Sequence, residues 1–181
     1  MKDLTFITGN QGKADQLAKW LGVPVPHYKL DLDELQLLDL RKVAEHKVRQ
    51  AYDILKKPVL VEDVAFTFTA AGKLPGTLIK WFLEELGNEG LCKFADGLAH
   101  RKAVVSICYA LHDGKKVHFF EAHVPGVVPD KPRGSLGFGW NAAFQPDGTA
   151  KTYAEMDDDE MRPFSHRAKA IDKLKAFLEQ H

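Results

Sequence analysis

A short apolar, β-branched segment, Leu4-Thr-Phe-Ile-Thr8, runs straight into Gly9-Asn-Gln-Gly-Lys13, and helical periodicity begins just after it at Leu17, Trp20 and Leu21. A strand, a glycine loop and a helix in that order commit the chain to an α/β arrangement. Residues 39–55 place Val43, Ala44, Val48, Ala51, Tyr52 and Leu55 at spacings of three and four, with Arg41, Lys47, Arg49 and Gln50 elsewhere. That pattern predicts an amphipathic helix, stopped by Pro58. Val59-Leu-Val-Glu62 reads as a buried strand ending in Glu62 and Asp63, where open α/β sheets present functional groups. After a loop at Gly72-Lys-Leu-Pro-Gly76, residues 78–86 and 88–98 read as two short helices, with Gly87 as the stop between them. Segments 102–111 and 116–128 are strands around Asp113-Gly114, a hairpin signal. The last helix is capped by Ser165 and carries Ala168, Ile171, Leu174 and Leu178 on one face. The predicted class is mixed α/β with long central antiparallel strands.

A chain of 181 residues supplies one domain, taken here as 1–181, and 45% apolar with 28% charged residues excludes a disordered tail or a fibrous repeat. The 25 basic residues are matched by 25 acidic ones, so there is no overall field to condense onto nucleic acid or an anionic membrane. Any polyanion it handles must be small and bound by a local pocket. No apolar run approaches the ~20 residues that span a bilayer, and the start of the chain lacks an export signal, so a cytoplasmic protein is expected. Cys92 and Cys108 fit no zinc spacing and are expected as buried packing residues.

Four groups of residues carry candidate chemistry. Thr8, Gly9, Asn10 and Lys13 combine backbone amides, a helix amino terminus and a lysine, the parts of a phosphate site. A tight turn with a solvated lysine satisfies the same residues, and the segment is neither a Walker loop nor a G-x-G-x-x-G fingerprint. Glu62 and Asp63, with Glu34 in a polar loop, are carboxylates of the kind that hold Mg²⁺ beside phosphates, although an acid at a strand end also serves turns. Neighbouring strand residues face opposite ways, so at most one of Glu62 and Asp63 reaches a given site unless the strand has ended. Asp63, further into the expected loop, is the stronger candidate. Ser165, His166 and Arg167 open the last helix, where an anion or a base edge can sit; no G-x-S-x-G elbow supports a serine nucleophile. Phe138, Trp140 and Asn141 join aromatic faces to an amide that both donates and accepts, which suits stacking on a planar base or completing a core.

Thr8-Gly-Asn-Gln-Gly-Lys13, Val61-Glu-Asp63, Leu74-Pro-Gly76 with Ile79-Lys-Trp-Phe82, Gly137-Phe-Gly-Trp140, Phe144-Gln-Pro-Asp-Gly148, Lys151-Thr-Tyr-Ala-Glu-Met156 and Ser165-His-Arg-Ala-Lys-Ala170 resemble, in order and spacing, the inosine triphosphate pyrophosphatase family. The resemblance spans essentially the whole chain. It implies an elongated α/β fold of two lobes flanking a nucleotide cleft, a homodimer, and Mg²⁺-dependent hydrolysis of ITP, dITP and XTP to monophosphate and pyrophosphate. It further implies that Thr8, Asn10 and Lys13 contact the triphosphate, that Glu34 and Asp63 hold the metal or position water, and that Phe138, Trp140, His166 and Arg167 surround the base.

Four positions, in three places, depart from that family's pattern. Asn141-Ala142 stands where Asp-Pro is usual, Met161 beside Arg162 where a lysine is usual, and Val64 where a Ser or Thr follows the catalytic aspartate. The residues that the resemblance assigns to the triphosphate are retained, and the departures bear on the base-reading shell. Two further readings follow: the same chemistry on another or a broader set of bases, or a nucleotide-binding protein without turnover. Retention of Lys13, Glu34 and Asp63 argues against the latter.

Overall fold

The computed structural model describes residues 3–180. The strands are β1 Thr5–Ile7, β2 His27–Tyr28, β3 Val59–Phe68, β4 Pro75–Gly76, β5 Lys102–His112, β6 Val117–Val127 and β7 Gln145–Pro146. The α-helices are α1 Gln11–Leu21, α2 Leu40–Leu55, α3 Ile79–Asp96, α4 Asp158–Met161 and α5 His166–Glu179. One mixed sheet runs β2-β1-β3-β5-β6-β7, with β4 on β3. The expected mixed α/β class and its long central hairpin are therefore present. Asp113 makes that hairpin's turn: one carboxylate oxygen accepts from Lys115 N at 2.7 Å and Lys116 N at 2.8 Å, while Gly114 adopts φ 100°.

Two compact units share the chain. The first comprises residues 1–63, 107–122 and 167–181; the second comprises 64–106 and 123–166. In the first, β1 pairs in parallel with β2 and β3, an arrangement that requires crossover helices and buries the strand: Phe6 is fully inaccessible. α2 packs Ala44, Val48 and Ala51 into a core with Val59, Val61, Cys108 and Ala110, confirming the face expected from its periodicity. In the second unit, β3 pairs with β4 and β6 with β7, both antiparallel. α3 is interrupted at Gly87 (φ 63°), as expected. Both cysteines are buried and free.

One expected boundary is corrected. β3 does not end at Glu62 and Asp63 but runs on to Phe68. Val64-Ala-Phe-Thr-Phe68 is β-branched and aromatic, and Ala65, Phe66 and Phe68 are buried, so strand propensity and burial carry the chain past the two acids. The acids thus sit mid-strand, where alternation, not a loop, sets their directions.

Candidate functional site

In the first unit the glycine loop is built by its cap. Asn10 is extended and its Oδ1 accepts from Lys13 N at 3.1 Å, while Thr8 Oγ1 accepts from Asn10 N at 3.1 Å. The cap serves the third residue of α1, and among the described residues no acceptor meets the amides of Gln11 and Gly12. Thr8, Gly9, Asn10 and Lys13 therefore lie together at a helix amino terminus beside the ends of β1 and β2.

Pleating sends Glu62 and Asp63 to different partners. Glu62, 6% exposed, accepts from Arg167 Nε at 2.9 Å and Nη2 at 2.8 Å, from Tyr109 Oη at 2.7 Å, and pairs with Lys13 Nζ at 3.1 Å. Arg167 also donates to Gln16 Oε1 at 2.8 Å. Gln16 and Lys13 are three apart on α1 and share a face, which explains why both reach this network. Burial alone would raise the Glu62 pKa, but Arg167 and then Lys13 more than offset it, so the carboxyl sits well below the usual carboxylate range. Arg167 is correspondingly held charged by Glu62 against its own burial.

Asp63 meets a separate group. Lys47 Nζ on α2 lies 2.6 Å from Asp63 Oδ1 and 3.3 Å from Glu34 Oε1. Glu34 comes from a segment without regular structure, tied to α2 by a reciprocal pair: Asp33 N donates to Gln50 Oε1 and Gln50 Nε2 to Asp33 O, both at 3.1 Å. Gln50 and Lys47, one turn apart on α2, thus position Glu34 near Asp63. Burial raises the Asp63 pKa and Lys47 pulls it back only in part; the carboxyl is a stronger base than an ordinary aspartate. The Lys13 charge is felt by both carboxylates.

Can this group hold a metal? Asp63 Oδ2 is buried without a hydrogen-bond partner, and Glu34 supplies a second carboxylate. Among the described residues no cluster of three His, Cys, Asp or Glu exists. One or two carboxylates, with phosphate oxygens completing the shell, is how proteins hold Mg²⁺, so the donor set fits that ion.

The aromatic residues lie in the second unit. Trp140 is 8% exposed and packs edge-on to Phe66 at 5.3 Å between centroids, with His166 at 5.5 Å, Phe144 at 6.0 Å and Tyr153 at 6.2 Å. Its ring completes a core. Phe138 is only half-buried. Asn141 is buried and its amide nitrogen lies against Gly137, where any Cβ would overlap it; Gly137 has φ 75°, so glycine is required twice over. A cavity of about 180 Å³ opens here, lined by Asn88, residues 134–139, Asn141, Ala142 and Ala154. Asn88 Nδ2 donates to Gly139 O at 3.0 Å. Ser165 and His166 are buried in this unit, whereas Arg167, the next residue, belongs to the first unit's Glu62 network. Met161, at the position where the resembled family carries a lysine, is 4% exposed.

Sequence reasoning passed over Lys47, Gln16 and Tyr109. Lys47 lay among the polar residues of an amphipathic helix, where only the acids opposite it single it out. Tyr109 sat in an apolar strand, and Gln16 carried only its spacing from Lys13.

Fold and site together define a mixed α/β protein that places an anion-receptive glycine loop beside a carboxylate–lysine pair. The chain belongs to the Ham1 family, whose model matches residues 4–177. It is 42% identical over 177 residues to inosine triphosphate pyrophosphatase 2 of Trypanosoma cruzi (strain CL Brener), covering 96% of this chain and 90% of that protein. It is 40% identical over 184 residues to the inosine triphosphate pyrophosphatase of Schizosaccharomyces pombe (strain 972 / ATCC 24843), covering 99% and 96%. In fold it is similar to a HAM1 protein from Coxiella burnetii, with a TM-score of 0.79 at 21% identity over 98% of each chain. No helix among the described residues is long and apolar enough to cross a membrane.

Proposed function

We propose that the protein is a nucleoside triphosphate pyrophosphatase, a hydrolase of phosphoric anhydrides. It removes non-standard purine nucleotides such as ITP, dITP and XTP from the pool as monophosphate and pyrophosphate. The observation that carries the mechanism is Asp63, with Oδ1 on Lys47 and Oδ2 buried without a hydrogen-bond partner, in the same unit as a capped glycine loop. The names of the relatives support the substrate class.

In this reading the triphosphate lies against Thr8, Gly9, Asn10 and the open amides of Gln11 and Gly12, with Lys13 countering charge on the departing pyrophosphate. Asp63, made more basic by burial, orients water and takes its proton as the water oxygen bonds to the α-phosphorus and the α–β anhydride bond breaks. Lys47 keeps Asp63 oriented and ionised. Glu34 and Asp63 would hold Mg²⁺, which would supply countercharge for the triphosphate. Glu62 orders the cations: it fixes Lys13 and Arg167 and does no proton chemistry, since its pKa is too low.

The family resemblance assigns base recognition to Phe138, Asn141, Ser165 and His166, and Trp140 packs beside His166. Arg167, held by Glu62, contributes by fixing the start of α5. The neutral Asn141 and the buried Met161 favour a broader base range than ITP and XTP alone. Two free buried cysteines suit a cytoplasmic location, and the family resemblance supports a homodimer.

The test is pyrophosphate release from ITP, dITP, XTP, GTP and ATP, with and without Mg²⁺. Release with matching monophosphate, fastest on the deaminated purines and dependent on Mg²⁺, is expected. Nucleotide binding with no release from any of them would sink the enzyme reading.

A further inference from the structure

The charges around the glycine loop are balanced within the protein before any ligand is present. Lys13 and Arg167 answer Glu62, and Lys47 answers Asp63 and Glu34, giving three cations and three carboxylates. A triphosphate carries more negative charge than one divalent ion cancels. Binding it here calls for a cation not already committed to a carboxylate.

Lys29 is such a group. β2 pairs in parallel with β1, Ile7 opposite Tyr28, and Thr8 N donates to Tyr28 O at 3.1 Å. That register brings Lys29 level with the start of the loop, at the same strand ends. Its stem lies over Gly9: a Cβ built on Gly9 would sit 3.0 Å from Lys29 Cδ and 3.2 Å from Cγ. Gly9 is not among the residues of positive φ, and a side chain there would crowd the Lys29 stem, which could give way only by shifting off the loop. Lys29 itself is exposed, and among the described residues no carboxylate pairs with it. A lysine whose stem passes over Gly9 and whose charge is uncommitted can swing its head over the backbone amides of Gln11 and Gly12.

We propose that Lys29 binds the pyrophosphate end of the nucleotide, as a second lysine of the phosphate site beside Lys13. The inference rests on the pyrophosphatase reading. It makes Lys29 a binding group for the leaving group, not a participant in proton transfer.

Lys29→Gln keeps most of the stem and removes the charge; Lys29→Arg keeps the charge. Steady-state turnover of ITP with Mg²⁺, with added pyrophosphate and added IMP as inhibitors, separates the possibilities. Lys29→Gln should raise KM for ITP and the inhibition constant of pyrophosphate by about tenfold each, the worth of one charge-assisted contact. kcat and IMP inhibition should stay within about twofold, and Lys29→Arg should restore both raised constants. If Lys29→Gln matches wild type in KM and pyrophosphate inhibition, or weakens IMP and pyrophosphate equally, Lys29 does not bind the leaving group. Absence of pyrophosphate release by the wild-type protein would instead strike the functional reading itself.

Discussion

Lys47 Nζ stands between Asp63 Oδ1 at 2.6 Å and Glu34 Oε1 at 3.3 Å, so one ammonium from α2 joins a mid-strand acid to an acid in an irregular segment. The bridge leaves Asp63 Oδ2 buried and without a partner. A desolvated carboxylate oriented on one side and open on the other is what a water-activating base requires.

Asp63→Asn should therefore lower pyrophosphate release by at least about a hundredfold while leaving the urea midpoint nearly unchanged. Lys47→Gln should act through pH. Asp63 must be ionised to work, burial raises its pKa, and Lys47 opposes that rise. Removing Lys47 lifts the Asp63 pKa further, so the acid limb of the kcat/KM profile should move to higher pH. An unmoved limb would separate Lys47 from Asp63 in the mechanism.

The Glu62–Arg167 pair predicts a stability effect instead. Breaking one partner of a buried pair leaves an uncompensated charge, so Glu62→Gln should cost about 3 kcal/mol in urea unfolding. The folded pKa of Glu62 lies below its unfolded value, so the unfolded state binds more protons as pH falls. This contribution is complete above the ordinary glutamate value of ~4.3 and is lost as pH drops towards the folded value. Wild-type stability should fall in that acid window, and Glu62→Gln should show a shallower slope there. Equal slopes would mean that Glu62 is not the group responsible.

Asn141 bears on base choice. Hypoxanthine presents an N1–H donor where adenine presents an acceptor. An amide meets both, whereas a carboxylate only accepts. Asn141→Asp should raise the ITP-to-ATP ratio of kcat/KM by about tenfold, the scale of one gained or lost hydrogen bond to a charged group. The side chain is packed against Gly137, so the isosteric change keeps its place. An unchanged ratio would remove Asn141 from base reading.

The sequence by itself determined the element types and the loop. Leu4–Thr8 ahead of a glycine loop, the three-and-four spacing of 39–55, and Asp113-Gly114 between two apolar runs are local signals, and local backbone physics decides them. It also placed Thr8, Asn10 and Lys13 at one helix amino terminus, because cap, loop and lysine are neighbours in the chain. What only the tertiary structure decided is which charges meet. Glu62 and Asp63 are adjacent in sequence, yet pleating gives one to Arg167, 105 residues away, and the other to Lys47. The continuation of β3 to Phe68 removed the loop in which Asp63 was expected, and the buried packing of Trp140 against Phe66 could not be read from its glycine-rich neighbours. Ion pairs and burial across such separations are set by the fold, because electrostatics depends on distance and dielectric in space, and neither is written in the order of residues.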